Sequence, residues 1–208
     1  MVDHSAAQAH AADPAHLDTS TGLDNRKMAM WALIGSECLL FGGMIASYMV
    51  YEGNSVSGPL PAQILDIPLT SLSTFVLLAS SLFMVLGLSA VQRGDQPRAR
   101  NWLLATAFFG LIFLAFQAYE FNHFVHVGLG LGTNLFGSTF FLLTGTHGAH
   151  VAVGVIWLTT LALLAHRGKL GVERSIPVEV AGLYWHFVDV VWIVIFTLVY
   201  LIHTPLPT

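Results

Sequence analysis

The segment YWHFVDVVW, residues 184–192, places His186 and Asp189 three residues apart inside the last long apolar run of the chain, between Trp185 and Trp192. An imidazole and a carboxylate at i and i+3 share a helix face, where the carboxylate can orient the ring or pair with it and lower the cost of both in apolar surroundings. Trp185 and Trp192, seven apart, share another face and are expected to contact a partner subunit or lipid. Three more segments carry groups of this kind. FQAYEFNHFVH sets Gln117, Glu120 and His123 on successive turns, TGTHGAHVAVG sets His147 and His150 on one face of a glycine-thinned helix, and GSECLLFGG holds Glu37. Imidazoles and carboxyls could ligate a metal or move protons. Two histidines on one helix do not make the two-sided ligation that a haem sandwich needs, so helix-to-helix hydrogen bonds are the expected role of His147 and His150. Glu37 has no Lys or Arg within its apolar run, and a neutral, reactive carboxyl bonded between helices is expected there. His123 and His126 are expected at a membrane interface, where polar groups cost little.

These groups must be positioned by helices that live in lipid. Only 10% of the 208 residues are Asp, Glu, Lys or Arg and 55% are apolar, against about 25% charged in an average soluble domain. The chain is therefore expected to be an all-α polytopic membrane protein, a bundle of five transmembrane helices at about 28–51, 69–92, 101–124, 135–165 and 178–202. Gly- and Pro-containing connections separate them. The fourth run is longer than one crossing needs, so part of it should tilt or protrude. In the first, Ala32, Gly35, Gly42 and Ala46 form a small-residue stripe roughly opposite Glu37. Packing of that stripe on a neighbour would turn Glu37 the other way, and Gly35 and Gly42 are expected at a lipid or subunit contact. With the fifth run antiparallel to the second and fourth, His186 and Asp189 lie at a depth similar to that of Glu37, so a shared polar layer of the three is possible.

All eight basic residues fall before span one, between spans two and three, or between spans four and five. The positive-inside rule then puts the N-terminus and those two loops in the cytoplasm and the C-terminus outside. Residues 1–25, which hold no Lys or Arg and no apolar core, are expected to be a disordered polar tail ahead of a 26–208 membrane domain. His4, His10 and His16 in the tail are six residues apart and are expected to be solvated rather than metal-binding. Cys38, the single cysteine, excludes a disulfide framework within the chain.

The four polar segments, in this order on these spans, resemble the cytochrome c oxidase subunit III family, the third core subunit of haem–copper terminal oxidases. The resemblance covers about residues 22–203. YWHFVDVVW matches the family's last-helix motif, TGTHGAHVAVG its penultimate-helix histidine segment, GSECLLFGG its Ser-Glu segment and QAYEF its Gln-x-x-Glu-aromatic element. Longer members have seven helices, and this chain starts at what would be the third, as in five-helix forms from bacterial oxidases, quinol oxidases among them. The resemblance implies a non-catalytic subunit, without a metal site or cofactor of its own, that packs on catalytic subunit I, binds phospholipid and supports proton uptake. Haem and copper would belong to partner subunits. Subunit II, a small subunit IV or a larger respiratory supercomplex are further implied partners, nucleic acid is not, and the implied location is the bacterial cytoplasmic membrane. It also implies that Glu37 matches the glutamate that reacts with hydrophobic carbodiimides. Gln117, Glu120, His147, His150, His186 and Asp189 would be buried structural groups.

Two other functions fit parts of the sequence. A stand-alone proton channel or transporter could use Glu37, Asp189 and the histidines, although the chain shows no internal repeat. An intramembrane protease would need a serine nucleophile beside a histidine, and FGSTFF around Ser138 is a poor match to such a motif. Whether the oxidase takes electrons from cytochrome c or from quinol is decided by other subunits.

Overall fold

The computed structural model describes residues 24–51, 54–55, 65–170 and 175–202; nearly all of the polar tail with its three histidines, and the terminal HTPLPT, lie outside them. Among the described residues five helices are long and apolar enough to cross a membrane. They are α1 (Asn25–Tyr51), α2 (Ile67–Gln92), α3 (Gln96–His126), α4 (Leu135–His166) and α5 (Ile176–Phe196), the last continued by a π-helical turn, Thr197–Leu201. The 32 residues of α4 span about 48 Å at 1.5 Å per residue, more than the ~30 Å hydrocarbon core.

Helix starts follow local chemistry. Asp66 and Asp95 cap α2 and α3, accepting from the backbone N–H of Leu69 and Arg98, each at 3.1 Å, with a proline in the first turn. A proline there loses nothing, because the first N–H groups have no partner in the helix. Asn134 caps α4 through the Gly137 N–H at 2.7 Å. Between α2 and α3 the chain reverses within Arg93–Asp95, and Gly94 takes a φ of 75°, a left-handed conformation open to glycine at little cost.

Helices α2, α3, α4 and α5 form a closed ring in which each packs on the next and α5 returns to α2; α1 lies outside the ring against α4 and α5. Helix α1 buries a single stripe, Met30, Phe41 and Tyr48, with Ile34, Glu37, Met44 and Ile45 half-buried beside it. Its Leu39 is 80% exposed and Val50 67%, as suits a helix facing lipid or another subunit. The small residues Ala32, Gly35, Gly42 and Ala46 all lie on that exposed side. A Cβ added at Gly35 or Gly42 would meet nothing within 4 Å. The stripe does not pack on a described helix of this chain: Glu37 turns inward and Gly35 and Gly42 outward, on the side open to lipid or another subunit.

Basic groups gather at one end of the bundle. Lys27 at the start of α1 pairs with Glu179 at the start of α5, and Arg100 at the start of α3 donates to His166 Nδ1 at the end of α4 at 3.2 Å.

Candidate functional site

The polar side chains form a ladder of contacts between helices, running from the basic end toward the opposite one. At the basic end, Glu179 takes Lys27 from α1, while the Ser175 hydroxyl donates to its Oε1 at 3.2 Å. Behind this pair a groove of about 360 Å³ runs between α1, α2 and α5, floored by Met84 and Gly182 and reaching His186.

His186 and Asp189 do not bond to each other. His186 Nδ1 lies 2.6 Å from the hydroxyl of Ser81 on α2. Asp189 is 3% exposed, and among the described residues neither carboxyl oxygen has a full hydrogen bond, although the Ser81 hydroxyl interacts with it at a geometry short of one. Ser81 thus stands in the bond the expected pair would have made. Glu37 is not part of this layer either. It lies across the α1–α4 contact, with Oε2 3.2 Å from His150 Nε2. His150 Nδ1 is 2.8 Å from the Thr146 carbonyl, which cannot donate, so Nδ1 carries a hydrogen. The Nε2–Oε2 approach brings the imidazole and the carboxyl together at ion-pair distance, at a geometry short of a hydrogen bond. Tyr184 of α5 fixes the same turn by donating to the His150 carbonyl at 3.0 Å.

Trp185 and Trp192 correct the expectation that they reach a partner or lipid: they are 0% and 2% exposed and sit inside the ring. Their indole N–H groups donate to Ser80 and Thr74 of α2, both at 2.9 Å. An indole buried without an acceptor would cost about 1–3 kcal/mol, and the two hydroxyls on α2 remove that cost. Trp185 also requires two glycines. A Cβ at Gly110 of α3 would come within 2.7 Å of its ring, and one at Gly154 of α4 within the same distance. His147 is fully buried, stacked on Trp192 at 4.9 Å with Phe113 edge-on at 5.8 Å, and neither ring nitrogen has a hydrogen-bond partner among the described residues. Its contacts are aromatic, in place of the expected hydrogen bonds.

Toward the other end, Gln117 of α3 donates to the Thr144 carbonyl of α4 at 2.6 Å. Gly148 permits this approach, since a Cβ there would lie 2.5 Å from the amide oxygen. Glu120 joins three helices: Oε1 is 2.9 Å from the Thr70 hydroxyl of α2, and Oε2 accepts from Tyr200 at 3.1 Å. Thr70 has one hydroxyl hydrogen and two acceptors, Glu120 and the Asp66 carbonyl at 2.8 Å, so both contacts bond at once only when Glu120 carries a proton. The π-helical turn brings Tyr200 inward, fully buried, toward this carboxyl. His123 and His126 are exposed at the end of α3. His123 and Tyr119 line a pocket of about 140 Å³ with Asp66 and Glu120.

The sequence reading passed over α2, whose Thr70, Thr74, Ser80 and Ser81 supply the partners of Glu120, Trp192, Trp185 and His186. Thr74 follows Thr70 by four residues, and Ser80 and Ser81 follow Thr74 by six and seven, which keeps them to one side of the helix, and the pattern is visible in LTSLSTFVLLASS. Tyr184 and Tyr200 were passed over as well. Among the described residues no group of three or more His, Cys, Asp or Glu side chains is placed to hold a metal ion. What the arrangement does is chemical only in a limited sense: it joins helices through hydrogen bonds of Glu120, Gln117, Trp185 and Trp192, while His147 and Asp189 are buried without a full hydrogen bond among the described residues.

Comparison with known proteins matches residues 19–204 to the family described as Cytochrome c oxidase subunit III. The chain is 37% identical over 177 residues to the cytochrome c oxidase subunit 3 of Bacillus sp. strain PS3, covering 85% of this chain and 86% of that one. It is 36% identical over 197 residues to the cytochrome c oxidase subunit 3 of Alkalihalophilus pseudofirmus, 89% of this chain and 96% of the relative. To the quinol oxidase subunit 3 of Bacillus subtilis strain 168 it is 36% identical over 188 residues, 90% and 92% of the two. A match over nearly the whole membrane domain, on a five-helix bundle knit by the polar residues of its four motif segments, makes this chain a member of the cytochrome c oxidase subunit III family.

Proposed function

We propose that the chain is the scaffold subunit of a proton-pumping haem–copper terminal oxidase in a bacterial cytoplasmic membrane, with its basic end in the cytoplasm. The observation that carries this reading is how the buried polar groups are used: Glu120, Gln117, Trp185 and Trp192 each bond to a neighbouring helix, and Glu37 pairs with His150 across α1 and α4. Such bonding fixes a rigid body, and the haem and copper chemistry belongs to partner subunits. The catalytic subunit docks on the outward face of α1, where Gly35 and Gly42 allow a helix backbone to approach closely. Phospholipid fills grooves on the lipid-facing surface, such as the one walled by Leu39, Leu40, Met44 and Leu142. Through these contacts the subunit keeps proton uptake working over repeated turnovers. The test is to remove this chain from the purified oxidase and follow oxygen consumption. Activity that starts near normal and decays sooner with successive turnovers supports the reading; turnover and its lifetime unchanged by removal contradict it.

Relatives at 36–37% identity serve both cytochrome c and quinol oxidases. This supports leaving the electron donor to other subunits. A stand-alone channel would instead show pH-driven proton flux when the chain alone is reconstituted.

A further inference from the structure

We propose that Asp189 is a proton-exchanging site reached from the basic end of the bundle through the groove between α1, α2 and α5, with His186 and Ser81 as its relay. Four observations build it. The groove of about 360 Å³ has room for roughly ten waters at ~30 Å³ each; it is polar at its two ends, with Lys27, Gln92 and Glu179 at the mouth and His186 at the inner end, and walled between them by Trp31, Met84, Val85, Leu88 and Leu183. Seven residues separate Glu179 from His186 on α5, a rise of about 10 Å, so the groove carries contact with the basic end well into the bundle. His186 Nδ1 is bonded to Ser81 at 2.6 Å, and its Nε2 is not among the buried atoms without a partner, which leaves that nitrogen to the groove. Beyond Ser81 stands the Asp189 carboxyl, 3% exposed, near enough to the Ser81 hydroxyl to interact with it, and with neither oxygen in a full hydrogen bond among the described residues.

An ionised carboxylate in that setting would face no Lys or Arg and at most the Ser81 hydroxyl, whose hydrogen His186 Nδ1 competes for, so Asp189 carries a proton at rest. No charged group couples to it. Of the titratable groups on the helices packed against α5, Glu37 and His150 engage each other, His147 is stacked on Trp192, and Lys27 is held by Glu179. Glu120, on α3, is bonded to Thr70 and Tyr200. The relay has a consistent direction: Asp189 O–H toward Ser81 Oγ, the Ser81 hydrogen toward Nδ1, and Nε2–H toward the groove. For exchange, Asp189 gives its proton to Ser81 Oγ as Ser81 gives its own to Nδ1. The imidazolium so formed releases the Nε2 proton to a groove water. One proton leaves the carboxyl and one enters the water; the reverse sequence restores the acid. One turn beyond Asp189 the path closes on Trp192, whose N–H is bonded to Thr74, and on Phe113. The site therefore loads and unloads from one side and is not a channel.

The experiment is infrared spectroscopy of the intact oxidase complex transferred into heavy water. The C=O band of a protonated carboxyl that is present in the parent, absent in Asp189→Asn and displaced in Asp189→Glu belongs to Asp189. In the parent that band shifts promptly on deuteration. In Ser81→Ala, which breaks the relay and leaves the groove open, the shift slows by roughly tenfold or more, and Ser81→Thr, which restores a hydroxyl, recovers it. Absence of such a band, or equal rates in the parent and Ser81→Ala, overturns the proposal. A lipid sealing the groove gives slow exchange in the parent too, and also overturns it. The readout does not depend on electron donor or turnover, so it fails separately from the assignment of the chain as an oxidase scaffold.

Discussion

Glu37 and Glu120 differ in how they are held, and this sets what each substitution should do. Glu37 faces one imidazole at 3.2 Å, and its side chain is 19% exposed, so an apolar reagent dissolved in the membrane can reach it. A hydrophobic carbodiimide is expected to label the chain at Glu37, and mass spectrometry of the labelled peptide should show that Glu37→Gln abolishes the adduct. An adduct that persists in the variant would place the reactive carboxyl elsewhere. Glu120 is bonded from both sides, and Tyr200→Phe removes one donor while leaving the ring. The cost is expected at about 1–2 kcal/mol, read as lower resistance to unfolding by dodecyl sulfate. The residues that became the network were largely legible in the sequence, because a carboxyl, amide or imidazole in an apolar run stands out. Their partners were not. Serine and threonine satisfy themselves on their own helix, as Thr144 does on the Phe140 carbonyl, so in sequence Ser80, Ser81 and Thr74 look like ordinary membrane-helix residues. Only the neighbouring helix shows that they accept from indoles or bond an imidazole.

At the scale of helices, apolar run length located all five elements, and the differences lie at the ends. Helix α3 starts at Gln96 and not near residue 101, because Asp95 and Pro97 start a helix among polar residues that a hydropathy reading assigns to the loop. Which face of α1 packs could not be read from glycine spacing. A small-residue stripe marks a close approach but not the partner, and here no described helix takes that place. The glycines therefore divide into two kinds with opposite expectations. Gly154→Ala pushes a methyl into the Trp185 ring and should destabilise the bundle by about 1–3 kcal/mol in the same unfolding assay. Gly35→Ala meets open space and should leave chain stability the same or raise it by up to ~1 kcal/mol, the helix propensity gained. The larger Gly35→Leu should spare the isolated chain and weaken its retention in the oxidase, measured by the fraction that co-purifies; full retention would remove α1 as the docking face.

For the whole molecule, the arrangement is a four-helix ring with a fifth helix laid on its outside, closed within by aromatic and polar contacts and open without along α1. The distribution of Lys and Arg foretold which helix ends gather together, and the Lys27–Glu179 and Arg100–His166 contacts join those ends. What surrounds the bundle was not legible, because the exposed apolar faces of α1 suit lipid and protein alike. The central claim is that this bundle serves redox chemistry carried by other chains. Its most direct test is to isolate the full-length chain from its own membrane in a mild detergent, with identification of every co-purifying polypeptide and an absorption spectrum before and after dissociation. The account predicts a haem- and copper-containing catalytic subunit in constant ratio, with all haem absorption leaving with that subunit. A chain that purifies alone, or that keeps stoichiometric haem once separated, would contradict it.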